Sequence, residues 1–295
     1  MKHNLKITAV ILLMFIITQF IGLYVVNYYA SPDHPLPFGM DVPEIEQPED
    51  YTINFLSIII SLVIAITILF LLTRFKSKII LRIWFFVVVM LALGISFTSI
   101  LNIPAHLSLI ALVFALPFAL GKVYKRDFIT HNISELFIYP GIAAVFVPLL
   151  NIKATIILLV IISLYDAWAV WKSGIMQKMA KYQMDELKVF SGFFIPYLSK
   201  KTRQKIKKLK KSNSKKGIKV NVAILGGGDV IFPIIAAGVA LKVWGIWPAI
   251  LIITGALLGL GSLLLFSEKK KFYPAMPFIS AGIFLGMLLG WLFLL

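Results

Sequence analysis

Nine apolar runs, near residues 5–26, 52–73, 79–101, 105–121, 132–150, 153–171, 219–241, 245–266 and 273–295, take up most of this chain. Each approaches or exceeds the ~17 to 25 residues a helix needs to cross ~30 Å of hydrocarbon. Hydrophobic residues make up 60% of the 295 positions and charged residues 14%, whereas a soluble domain carries roughly a quarter charged. The pattern predicts an all-α, polytopic membrane protein with nine transmembrane helices. The first run is longer than the ~7 to 15 residues of a signal-peptide core, and the "NYYASPD" after it lacks a small-x-small cleavage pattern, so it is read as a span.

An odd number of spans puts the termini on opposite sides, and the basic residues orient them. With the N-terminus inside, 27 of the 29 Lys and Arg fall in cytoplasmic segments, leaving only Lys153 and Lys242 outside. The first external loop, "SPDHPLPFGMDVPEIEQPEDY", is acidic and proline-rich. The formal charge of +16 is therefore mostly a topology signal, concentrated in "LSKKTRQKIKKLKKSNSKKGIK", and nucleic acid is not an expected partner. That run is expected to be a solvated loop touching anionic lipid, at about 1 kcal/mol per basic residue near the surface. The chain thus divides into helices 1 to 6 over 1–173, a basic cytoplasmic loop over 174–218, and helices 7 to 9 over 219–295. Within the loop, "KYQMDELK" reads as a short surface helix, and the apolar "VFSGFFIPYL" is too short to span and is expected to lie in the interface, with docking over a site as a plug the alternative.

Sorted by depth, most of the 13 acids sit in loops or near helix ends, Glu135 among them at the cytoplasmic start of the fifth helix. Only Asp166, in "SLYDAWAV", and Asp229, in "LGGGDVIFP", lie well inside spans. Asp166 is about six residues from the cytoplasmic end of its helix, or ~9 Å; Asp229 is about ten residues beyond Lys219, at most ~15 Å. Since the sixth helix runs inward and the seventh outward, the two carboxylates reach comparable depth and can meet. An ionised carboxylate costs at least ~2.5 to 3.5 kcal/mol at the bilayer centre, which makes intramembrane acids functional candidates. A facing pair that shares one proton does acid and base work together: one carboxylate takes a proton from attacking water while the other donates to a carbonyl oxygen. That chemistry needs no metal and no cofactor.

Three consecutive glycines, Gly226, Gly227 and Gly228, precede Asp229. They are poor for helix stability and good for close backbone approach. Ahead of them "IKVNVAIL" is β-branched and partly alternating, so a short extended piece is expected there, offering its edge to a peptide by strand addition.

These residues resemble the presenilin and signal peptide peptidase family of intramembrane aspartyl proteases. "SLYDAWAV" is similar to its tyrosine-aspartate motif, "GGGD" to its glycine-x-glycine-aspartate motif, and "YPAMPFIS" to its proline-alanine-leucine motif, in the family's order on spans six, seven and nine. The resemblance implies an endopeptidase that cuts transmembrane helices of membrane-protein substrates. It implies that Asp166 and Asp229 are the catalytic dyad, that Tyr165 neighbours the first acid, that Gly226 and Gly228 shape the approach to the second, and that Pro274, Ala275 and Met276 line the site. Two departures stand out: Gly227 where presenilins usually have leucine, and Met276 where the family usually has leucine. The orientation and the "PAMP" string resemble presenilins more than signal peptide peptidases, and the minimal loops point to a prokaryotic, archaeal member.

Other features carry structural expectations. "GALLG" and "GIFLGMLLG" have small-x-x-x-small spacing, which suggests helix packing first and a homo-oligomer second. Pro117, Pro140 and Pro148 are expected to kink or end helices. The chain has no cysteine, and its four histidines show no ligand spacing, so no metal site is expected. The rival function is cation or proton-coupled transport, which also uses paired intramembrane acids; here no second "GGGD" appears in the first half.

Overall fold

The structure, a computed structural model, describes residues 5–40, 48–74, 78–125, 127–173, 190–197, 221–267 and 273–294. The proposed surface helix at 181–188 and most of the basic loop lie outside the described residues. Among the described residues the apolar runs fold into nine α-helices: α1 (Leu5–Tyr29), α2 (Pro48–Arg74), α3 (Lys78–Ile100), α4 (Leu109–Leu120), α5 (Phe128–Phe146), α6 (Ile152–Trp168), α7 (Gly227–Trp244), α8 (Ile246–Phe266) and α9 (Met276–Leu294). Two strands, β1 (Gly192–Tyr197) and β2 (Asn221–Gly226), separate α6 from α7.

Seven described segments, built on α1, α3 and α5 to α9, are long and apolar enough to cross a membrane. The run at 105–121 does not form one spanning helix. After Pro104 it makes a 3-10 turn at Ala105–Leu107, then the 12-residue α4, then a π-helical turn at Gly121–Lys125. Twelve residues rise only about 18 Å. The seventh run also departs from a continuous helix, because helical backbone begins at Gly227 and the residues before it are strand. Pro148 sits in a 3-10 turn that ends α5, while Pro117 and Pro140 lie inside α4 and α5.

The largest core cluster joins α1, α5, α6, α7, α8 and α9 with both strands, and a second joins α3, α4 and α5. Outward-facing positions are apolar too, among them Leu13, Val63, Val113, Leu258 and Leu285. Such a surface is a liability in water and matches hydrocarbon. The small-residue spacings are used inside the chain: a methyl on Gly255 would strike the Gly282 carbonyl, one on Gly259 the Phe278 carbonyl, and one on Gly286 the Leu251 carbonyl, so α8 and α9 meet backbone to backbone.

The patch expected to lie in the interface is instead a strand. Residues 192–197 pair antiparallel with 221–226, in the register Gly192↔Gly226, Phe194↔Ile224 and Tyr197↔Asn221. Phe193, Ala223 and Leu225 are buried, so this small sheet belongs to the core. An unpaired backbone segment at membrane depth would leave polar groups unsatisfied, and pairing the two segments removes that cost for the groups that face each other.

Candidate active site

The site is built where α6, α7 and α9 pack together. Asp166 is buried two residues before the end of α6, and its Oδ2 accepts the backbone N–H of Met276 at 3.0 Å. Met276 is the first residue of α9, and the Ala275 carbonyl accepts the first helical bond, from Ile279, at 3.1 Å. Alanine in the N-cap position has no side chain to offer the orphan N–H groups of the first turn. Pro277 has no N–H to orphan, and Asp166 serves Met276 from the neighbouring helix. A carboxylate there also complements the positive end of the α9 dipole. One helical turn away, Ser163 donates to or accepts from Ser280 at 2.8 Å, so α6 and α9 are bonded twice along one seam.

Asp229 occupies the equivalent place on α7, the third residue of a helix whose N-cap is Gly226. The Asp229 carboxylate folds back beside Gly226. Asp229 thus stands in the first turn of α7 and Asp166 against the first turn of α9, on three helices that pack together. Among the described residues no group of three or more His, Asp and Glu gathers as metal ligands.

The glycine triplet divides into three different requirements. A methyl on Gly226 would sit 3.1 Å from Asp229 Oδ2. On Gly227 it would collide with Tyr139 Oη at 2.8 Å and Ser191 Oγ at 2.7 Å. On Gly228, which is exposed, it would meet only the Phe232 ring at 3.6 Å, an ordinary contact. The departure from leucine at Gly227 thus has a local cause, since the fully buried Tyr139 of α5 fills the space. Pro274 and Met276 are buried beside the acids' helices and Ala275 is half-buried. Tyr165 is placed differently: it is 52% exposed and tilts its ring on Trp168 at 6.3 Å.

Sequence reasoning missed a second group of residues. Gln19, buried in α1, donates to the Val230 carbonyl at 3.0 Å and ties α1 to the first turns of α7. Lys122, counted above as a cytoplasmic loop charge, is buried and forms an ion pair with Glu135. Glu135 Oε1 also accepts the Gly192 N–H at 3.0 Å, while Asn132 bonds both backbone groups of Phe194, at 2.9 and 3.0 Å. The one available signal was the clustering of His131, Asn132 and Glu135 on one face at the start of an apolar helix.

No curated protein matches the chain in sequence. Two crystal forms of a presenilin family intramembrane aspartate protease share its fold. The form in space group C222 is 20% identical, with a TM-score of 0.62, over 96% of this chain and 98% of that one. The form in space group P2 is 19% identical, with a TM-score of 0.60, over 95% of each chain. Residues 7–295 match the family described as "Signal-peptide peptidase, presenilin aspartyl protease", a span that holds both strands, both acids and every helix but the first two residues of α1. The chain belongs to the signal-peptide peptidase and presenilin aspartyl protease family.

Proposed function

We propose that this protein is an intramembrane aspartyl endopeptidase that hydrolyses peptide bonds within transmembrane segments of membrane-protein substrates, with Asp166 and Asp229 as its dyad. What supports the reading is that Asp166 meets the first turn of α9 and Asp229 stands in the first turn of α7, on three packed helices of a chain that belongs to an aspartyl protease family. One carboxylate takes a proton from water as the oxygen attacks the scissile carbonyl, and its partner donates a proton to the carbonyl oxygen. The tetrahedral intermediate then collapses as the nitrogen is protonated and the C–N bond breaks. Coupled acids titrate as a pair, so the roles of acid and base belong to the dyad.

A substrate helix shields its peptide bonds with its own hydrogen bonds, so it must unwind before cutting. The β2 strand is the receptor for the unwound segment. Since Gly192 and Phe194 turn their backbone groups away from β2 toward α5, the ladder partners are Phe193 with Leu225 and Ile195 with Ala223. By the strict alternation of an antiparallel pair, Val222 and Ile224 present their N–H and C=O groups on the opposite edge, while the outward Gly226 is the N-cap of α7 and gives its C=O to the first helical bond. A peptide added there runs directly toward Asp229. From the distribution of Lys and Arg we assign the N-terminus and the 174–218 loop to the cytoplasmic side and the C-terminus to the outside, and the route of water to the dyad to the cytoplasmic side.

The test is to incubate the purified protein in phosphatidylcholine vesicles with a synthetic peptide carrying one valine- and leucine-rich span, and to identify the products by mass. New termini inside the span support the reading. Cation flux through vesicles that yield no cleavage product supports transport instead.

A further inference from the structure

Helix α5 meets β1 with side chains arranged as a strand would arrange its backbone. Asn132 Oδ1 accepts the Phe194 N–H at 3.0 Å, and its Nδ2 donates to the Phe194 carbonyl at 2.9 Å, the two-bond exchange of an antiparallel pair. Two residues back along β1, Glu135 Oε1 accepts the Gly192 N–H at 3.0 Å, and His131 Nε2 lies 2.8 Å from the Gly192 carbonyl. A carbonyl only accepts, so Nε2 carries the proton, and Nδ1 is left to face the Lys122 ammonium at 3.5 Å. Lys122 neutralises Glu135 and reaches the Phe190 carbonyl at 3.4 Å. The next outward residue of β1, Pro196, has no N–H to satisfy.

Each outward N–H of β1 from Gly192 to Pro196 is therefore taken by a side chain of α5 or is absent by composition. Gly192 itself has φ +138°, and a methyl there would run into the Leu225 carbonyl, so glycine is required where the chain bends into the clamp. Sheets leave two edges, and an open edge accepts any extended peptide. Here one edge is closed from within the chain.

We propose that His131, Asn132 and Glu135, with Lys122 behind them, act as a surrogate third strand that closes the outer edge of β1, so that a substrate peptide docks only on β2 and in one register against Asp229. These are positioning residues, and the proposal rests on the reading of β2 as the substrate receptor. Two consequences distinguish it from a merely structural role. β2 runs straight into α7 and Asp229, so what moves is the peptide: with the outer edge of β1 open it also docks there, and a change of register that keeps its faces is a step of two residues. Docking then weakens more than the chemical step does.

The experiment compares wild type with Asn132→Ala and Asn132→Asp in vesicles with the same valine- and leucine-rich peptide. It measures KM, kcat, the positions cut, and amide hydrogen exchange over 190–197. Asn132→Asp keeps the size and the acceptor for the Phe194 N–H and loses the donor, so it serves if the alanine variant does not fold. The expected result is faster exchange over β1, a KM raised about tenfold, the scale of one or two lost hydrogen bonds, a smaller fall in kcat, and new cuts displaced by two residues. Faster exchange with unchanged KM and unchanged cut positions overturns the proposal while leaving the protease reading intact. Unchanged exchange overturns it as well, because Asn132 then does not hold β1. A wild type that cuts nothing overturns both.

Discussion

The backbone N–H of Met276 donates to Asp166 Oδ2 at 3.0 Å, so the first turn of the last helix is capped by an acid from the sixth. This bond is made by the main chain, and the side chain at 276 is a separate matter. Met276→Ala and Met276→Pro both remove the buried side chain, but only the proline removes the donor. Proline is well tolerated at the first helical position, so the helix start is kept in both and the stability lost by the proline variant beyond the alanine one should be about the 1–3 kcal/mol of an unsatisfied buried acceptor. Turnover of Met276→Pro should fall about 10- to 100-fold below that of Met276→Ala, the range for a charge-assisted hydrogen bond of about 1.5–3 kcal/mol. Equal turnover in the two would mean that the bond does not serve the chemistry.

A proline scan separates the two edges of β2. Ala223 faces β1 in the ladder, so Ala223→Pro removes an internal hydrogen bond and should lower stability and activity together. Val222→Pro and Ile224→Pro remove outward donors and leave the ladder bonds in place. They should lower turnover at least about tenfold with little change in melting temperature. Val220, in the same "IKVNVAIL" run, lies outside the described residues.

Gly227 and Tyr139 compete for one space. Gly227→Leu should cost at least the ~1–3 kcal/mol of an overpacked core, and Tyr139→Ala about 3–5 kcal/mol for its cavity. Combined, the leucine fills what the tyrosine vacates, and the double variant should be more stable than the sum of the single losses by over about 1 kcal/mol. Chemical denaturation of the four proteins in detergent checks this.

The buried Lys122–Glu135 pair is expected to show the asymmetry of such pairs. Lys122→Met alone leaves a buried carboxylate without its cation and should cost about 3–5 kcal/mol. Adding Glu135→Gln removes the stranded charge and keeps an oxygen for the Gly192 N–H, so the double variant should recover most of that loss. A double variant no more stable than Lys122→Met would show that the lysine is held for another reason.

Much of the architecture was legible because a bilayer imposes length and polarity rules on every span. The helical character of the nine runs follows from those rules, and the extended piece before the glycines follows from its β-branched, partly alternating residues. What was not legible depended on contacts distant in sequence. The patch around Phe193 shows no local sign that it pairs with residues near 225, and taken alone a six-residue apolar piece reads as interfacial. Lys122 counts as a loop charge until Glu135, on the next helix, is seen beside it. Asn132 and His131 look like the polar start of a helix, and only β1 gives them acceptors and donors to serve. Gly227 looked like a departure from a motif, and Tyr139 on another helix supplies its cause.

The most direct measurement is cleavage of the transmembrane peptide by wild type, Asp166→Asn, Asp229→Asn and the double variant, each confirmed folded by circular dichroism. Each carboxylate supplies half of one proton-transfer pair, so either single substitution should reduce cutting to background and the double should be no worse than the singles. Cleavage that survives in either folded single variant would contradict the assignment of the two acids as one catalytic unit.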